Sequence, residues 1–120
     1  MKAPSEHQIQ HGLIEWWKIK HKGYGLPEFA LFAVPNGGAR NAVTGAILKR
    51  EGVRKGVCDL ILLCPNKDYA GLVIEMKASK GVVSKDQQEF IDYANINHKA
   101  VICYDWQEAA KIIDEYLKDR

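Results

Sequence analysis

Apolar residues Ile9, Leu13, Trp16 and Trp17 recur at helical spacing and predict one buried helix face. Ser5 and Gln8, just after Pro4, form an S-x-x-Q capping box, so a helix is expected from residue 5 to about residue 20. Residues 21–27 hold two glycines and a proline and read as a connection. The apolar run 29–34 ends at Pro35 and predicts a first strand. Pro35-Asn36-Gly37-Gly38 is a turn signal. A weakly helical stretch, 41–51, follows it and ends at Gly52, with Lys49 and Arg50 in its last turn. Strands are predicted over 58–63, 71–77 and 100–104, the first two joined by the turn Pro65-Asn66-Lys67-Asp68. A second capping box, Ser84 with Gln87, opens a helix that turns Phe90, Ile91 and Ala94 to the core. The last helix runs from residue 106 to about 117, with Ala109, Ile112, Ile113 and Tyr116 as its stripe.

The resulting order is helix, strand, helix, strand, strand, helix, strand, helix. Without repeats or low-complexity segments, it predicts one α/β domain over residues 1–120, a four-stranded mixed sheet flanked by helices. A chain of 120 residues can bury a core without metal or disulfide staples. Cys58, Cys64 and Cys103 are odd in number and lack CxxC spacing, which suggests reduced thiols and a cytoplasmic location. The first residues lack the apolar core of a signal peptide, and no run approaches membrane-spanning length. The net charge of +2 is too small to argue for nucleic acid alone, so any such case depends on where the charges sit.

Two predicted strands contain residues that packing does not explain. Buried strands read as near-continuous Val, Ile and Leu. Here Asp59 opens one strand, and Glu75 and Lys77 interrupt the next from a single face. A hairpin turning on Lys67 sets Asp59 opposite Glu75, with Cβ atoms about 4.5–5.5 Å apart. Like charges so placed destabilise a sheet unless compensated. Lys77, diagonal to Asp59, is one compensator. A hard divalent cation, Mg²⁺ or Mn²⁺, is the other. A solvated surface hairpin would also accommodate such charges, and a one-residue bulge would break the register. The apolar neighbours on both faces, and Gly56 and Gly71 nearby, favour a buried backbone that something approaches closely.

Arg40, Lys49, Arg50, Arg54 and Lys55 gather positive charge between the first two strands. They read either as a solvated helix end or as phosphate contacts that position a duplex. Asn36, Gly37 and Gly38 would let that loop flex around a substrate. His7, His11, His21 and His98 are read as having no ligand spacing of their own. Trp16 and Trp17 fit the core stripe better than a base-stacking role.

The residues Glu6-His7-Gln8-Ile9-Gln10, Pro35 to Arg40, Gly52 to Leu60, Gly71 to Lys77, and Gly81 with Ser84 to Gln87 resemble, in that order, the VRR-NUC domain of the PD-(D/E)XK nucleases. The resemblance implies a restriction-endonuclease-like fold and a metal-dependent DNA endonuclease. It implies that Asp59, Glu75 and the Met76 carbonyl hold the metal and that Lys77 is the catalytic lysine. Gln87 and a first-helix acid join the site, with Glu6 as the matching position and Glu15 as the competing acid. Without the resemblance, Gln87 is a cap and Glu6 a helix-dipole residue. Cys58 departs from the family's usual proline. The chain resembles the stand-alone form known from phages and bacteria. The expected substrate is DNA, branched or duplex and Holliday-junction-like, cut by a homodimer whose two sites match a two-fold substrate. The alternative is a catalytically inactive nucleic-acid-binding module of the same fold.

Overall fold

The computed structural model describes residues 3–35 and 42–120. Helix α1 (Glu6–Lys20) starts where Ser5 accepts from the Gln8 amide at 3.1 Å while the Gln8 side chain accepts from the Ser5 amide at 2.9 Å. Two 3₁₀ turns, His21–Tyr24 and Glu28–Ala30, lead into strand β1 (Leu31–Ala33). Helix α2 (Ala42–Arg50) follows, then β2 (Leu60–Leu62), β3 (Leu72–Met76), α3 (Lys85–Ala94), β4 (Lys99–Cys103) and α4 (Trp106–Lys118). Gly52 ends the α2 segment with φ +97°, the left-handed conformation that favours glycine.

The sheet order is β1-β2-β3-β4, with the first two pairs antiparallel and β3–β4 parallel. The mixed four-stranded sheet with flanking helices expected from the sequence is therefore the fold of the chain. The β2–β3 register pairs Leu60 with Ile74, Ile61 with Val73 and Leu62 with Leu72, the alignment set by a turn centred on Lys67. Within that turn Asn66 Oδ1 accepts from the amides of Asp68 at 3.0 Å and Tyr69 at 2.8 Å, so the loop has its own fixed shape. The parallel return from β3 to β4 runs through α3.

One sheet face is closed by α1 and α4. Leu13, Trp17, Leu60, Leu62, Leu72, Ile74, Met76, Ile113 and Tyr116 form its buried core. Trp17 Nε1 donates to the Glu28 carbonyl at 2.7 Å and Tyr116 Oη to the Cys64 carbonyl at 2.7 Å, so these two buried rings keep their polar atoms bonded. The opposite face carries a smaller cluster, Cys58, Val73 and Ala94 with Ile61, Phe90 and Ala100, beneath α3. The Cys58, Cys64 and Cys103 side chains are buried.

Two details differ from the sequence pattern. Phe29 belongs to the 3₁₀ turn after Pro27 and is 78% exposed, and Leu63 lies beyond β2 at 70% exposed. An apolar run alone cannot say whether a helix covers both sides of its strand. Among the described residues, no helix is long and apolar enough to cross a membrane.

Candidate active site

β3 brings charge into a buried position. Glu75 and Lys77 are 3% and 7% exposed, and both project from the face beneath α3. Alternation along the strand puts Ile74 and Met76 into the main core and Glu75 and Lys77 opposite. Asp59 comes from the segment just before β2. Its amide donates to the Ile74 carbonyl at 3.1 Å, one residue short of Glu75, so the regular ladder ends at Leu60. Its carboxylate Oδ2 accepts from the Met76 amide at 2.7 Å. The Asp59 carboxyl nonetheless comes near enough to Glu75 to oppose its ionisation.

Gln87 closes the site from α3. Its Nε2 donates to Glu75 Oε1 at 2.8 Å, its Oε1 accepts from the Ser84 amide at 2.9 Å, and its own amide donates to Ser84 Oγ at 3.1 Å. One side chain thus caps the helix and holds a carboxylate. Lys77 Nζ stands 3.9 Å from the same Glu75 oxygen, an ion pair rather than a close hydrogen bond. The backbone of Gly81 lies along the Lys77 stem, close enough that a Cβ there would come within 3.1 Å of Lys77 Cδ.

The electrostatics follow from this crowding. Burial pushes the Glu75 carboxyl from 4.5 up to about 8, the Asp59 carboxyl adds to the rise, Lys77 opposes it, and Glu6 adds repulsion from α1. Burial also pushes the Cys58 thiol up to about 12, with the charges of Glu75 and Asp59 contributing. The centre is therefore short of positive charge, and Lys77 does not make up the deficit. Its donors are hard carboxylate oxygens, which suit a divalent cation of the Mg²⁺ or Mn²⁺ kind. Among the described residues no group of three or more His, Cys, Asp and Glu could share an ion. Two carboxylates and a backbone carbonyl fit a cation that keeps several waters.

Of the two first-helix acids, Glu6 is exposed on the first turn of α1 and its charge reaches Glu75. Glu15 is engaged elsewhere, 3.2 Å from Lys18 and 3.9 Å from His11. Arg54 and Lys55 are exposed, and Lys55 Nζ lies 3.2 Å from Asp86 on the first turn of α3. Asn36, Gly37, Gly38 and Arg40 lie outside the described residues. His7 and His11 are four apart on the exposed side of α1, and their rings stack with centroids 6.4 Å apart. Helical i, i+4 spacing was the available signal. Two imidazoles fall short of the three or four ligands of a zinc site, and among the described residues no third group joins them.

A mixed four-stranded sheet carrying Asp59, Glu75 and Lys77 on its central hairpin, with a helix closing over it, defines a PD-(D/E)XK-like fold. Residues 5–105 match the VRR-NUC domain, and the chain belongs to this family of nuclease domains. A solved structure of a VRR-NUC domain protein is similar at 26% identity and a TM-score of 0.80, over 99% of this chain and 93% of that one. None of the curated proteins matches this chain.

Proposed function

We propose that this protein is a divalent-metal-dependent endonuclease that hydrolyses phosphodiester bonds in DNA, with Asp59, Glu75 and Lys77 as its catalytic centre. The observation that carries the reading is the buried Glu75 carboxyl, crowded by the half-buried Asp59 carboxyl and paired only at 3.9 Å with Lys77. A surface hairpin would not bury Glu75 to 3% exposure, and a retired site gains nothing from like charges held together away from water.

Asp59, Glu75 and the Met76 carbonyl would hold Mg²⁺ or Mn²⁺. When bound, such a cation supplies charge to polarise the phosphate and a water that is nucleophilic near neutral pH. Gln87 fixes the rotamer of Glu75 through Nε2, so that the carboxylate keeps one orientation as it loses its proton. The Lys77 ammonium, already buried and aimed at the pair, orients the attacking water or stabilises charge on the pentavalent phosphorus. Glu6 lends a further acid at the rim. Arg54 and Lys55, with Asn36, Gly37, Gly38 and Arg40, contact the phosphate backbone and position the duplex without reading its sequence. A branched substrate such as a four-way junction has two-fold symmetry, which a homodimer matches with two sites.

The test is cleavage of plasmid and four-way-junction DNA with Mg²⁺ or Mn²⁺, run beside Lys77→Ala and Asp59→Asn. Metal-dependent cutting by the native chain is expected, with a loss of at least about 10²–10³-fold in either variant. No cutting of any DNA by the native chain, or equal cutting by the variants, removes the nuclease reading.

A further inference from the structure

We propose that Gly56 is a positioning residue for the active site: without a side chain, it lets the loop before β2 lie directly on the first turn of α3, and so fixes Gln87 against Glu75. A Cβ at Gly56 would stand 2.6 Å from Asp86 Cβ, 3.0 Å from the Asp86 carbonyl carbon and 3.2 Å from its oxygen. Two of those atoms are backbone, so the helix itself would have to move. Asp86 immediately precedes Gln87, whose Nε2 makes the 2.8 Å bond to Glu75. Lys55 Nζ, 3.2 Å from Asp86 Oδ2, grips the same turn from the neighbouring position. Three residues after Gly56 the chain delivers Asp59 to the Met76 amide. One contact therefore sets the spacing between the two segments that supply Asp59 and Gln87. Displacing α3 by the width of a methyl group would stretch the Gln87–Glu75 bond past hydrogen-bonding range.

The same loop contains its own control. Gly56 has φ +82° and Gly52 has φ +97°, so an alanine is strained at both. Nothing lies within 4 Å of a Cβ at Gly52. Strain is shared by the two positions, whereas contact with α3 belongs to Gly56. Asparagine tolerates positive φ better than other side chains, so Gly56→Asn keeps the contact clash while relieving much of the strain.

The inference rests on the nuclease reading for its consequence but not for its geometry, and two readouts separate them. The first is the NMR signal of the Gln87 side-chain amide in the metal-free full chain. It is expected to leave its bonded position in Gly56→Ala and Gly56→Asn and to stay in place in Gly52→Ala. The second is Mn²⁺-dependent DNA cleavage. The half-saturating Mn²⁺ concentration is expected to rise about 10- to 100-fold in both Gly56 variants, with KM for DNA unchanged and Gly52→Ala like the native chain. Should Gly56→Ala not fold, Gly56→Asn decides. A native Gln87 signal in Gly56→Asn, or an equal disturbance in Gly52→Ala, overturns the proposal. If the native chain cuts no DNA, the nuclease reading falls while the amide signal still decides the positioning role.

Discussion

The two faces of the sheet are built from the same two central strands and obey opposite rules. Beneath α1 and α4, every inward residue of β2 and β3 is aliphatic or Met, and Leu60, Leu62, Leu72, Ile74 and Met76 are all fully buried. On the other face the alternate positions carry Ile61, Val73, Glu75 and, just past β3, Lys77, the last three of them buried. The first face stabilises the fold through apolar area removed from water. The second holds ionisable groups whose burial is unfavourable unless they are bonded or paired. Stability and chemistry are thus separated by a single residue step along β3.

Substitutions one residue apart are the sharpest way to break that contrast. On the proposed reading Glu75→Gln removes a metal ligand and the like-charge repulsion together, while keeping a side chain that can still face Gln87. Metal-dependent cleavage is expected to fall by at least about 10²–10³-fold. Denaturant unfolding of the metal-free variant at pH 8 should show stability equal to or above that of the native chain. Leu60→Ala, on the other face, is expected to lose about 2–5 kcal/mol of stability, read by the same unfolding, because Leu60 is 0% exposed and its neighbours can collapse only partly. If Glu75→Gln destabilises as much as Leu60→Ala, the two faces do not divide the work in this way.

The pH dependence sharpens the comparison further. The Glu75 carboxyl titrates near 4.5 when unfolded and is raised to about 8 in the fold. Between those values the native state holds a proton that the unfolded chain has released. The metal-free protein should therefore lose stability steadily as pH rises from about 4.5 to about 8, and the loss should level off above that window. Urea titrations in EDTA across this range measure it, and the slope should be absent in Glu75→Gln. If the proposed site holds, added Mn²⁺ should bind the deprotonated pair and restore stability at pH 8, by about 2.7 kcal/mol when free metal is 100 times its Kd. A flat profile in EDTA would mean that the carboxyl pair is not strained.

The face rule also explains what the sequence could show. Elements α1, α3 and α4 were legible to within a residue or so, because a capping box or a long apolar stripe marks each. The β2–β3 register was legible from the turn at Lys67, since turn position dictates pairing. The path of Asp59 was not, because its amide bonds Ile74 and its carboxylate bonds the Met76 amide, and no pattern of residue types encodes that departure. Phe29 and Leu63 extend the apolar runs but lie outside the strands and are exposed, because hydrophobicity does not mark where a strand ends. The preference for Glu6 over Glu15 comes from the family resemblance, because helical periodicity does not say which acid of α1 has its charge felt at Glu75. Asp105, whose Oδ1 accepts from the Glu108 amide at 2.7 Å, caps α4, a start that aspartate directly before an apolar stripe signals in the sequence.

The smallest expected effect separates two motifs that look identical in sequence. Ser5-x-x-Gln8 and Ser84-x-x-Gln87 form the same reciprocal box, with the same 2.9 and 3.1 Å bonds. Ser5→Ala and Ser84→Ala should each lose about 1 kcal/mol of stability, the ordinary contribution of a cap. Their effects on catalysis should differ. Ser5 holds Gln8, which is exposed at the surface of α1. Ser84 holds Gln87, whose other end holds Glu75. Loosening Ser84 frees the glutamine to leave the carboxylate, so cleavage by Ser84→Ala should need more metal for half-saturation, whereas Ser5→Ala should keep the native requirement. Parallel metal titrations of the two variants, matched for unfolding free energy, make the comparison. An equal metal requirement would mean that Gln87 is held by α3 itself and that the second box, like the first, is only a helix start.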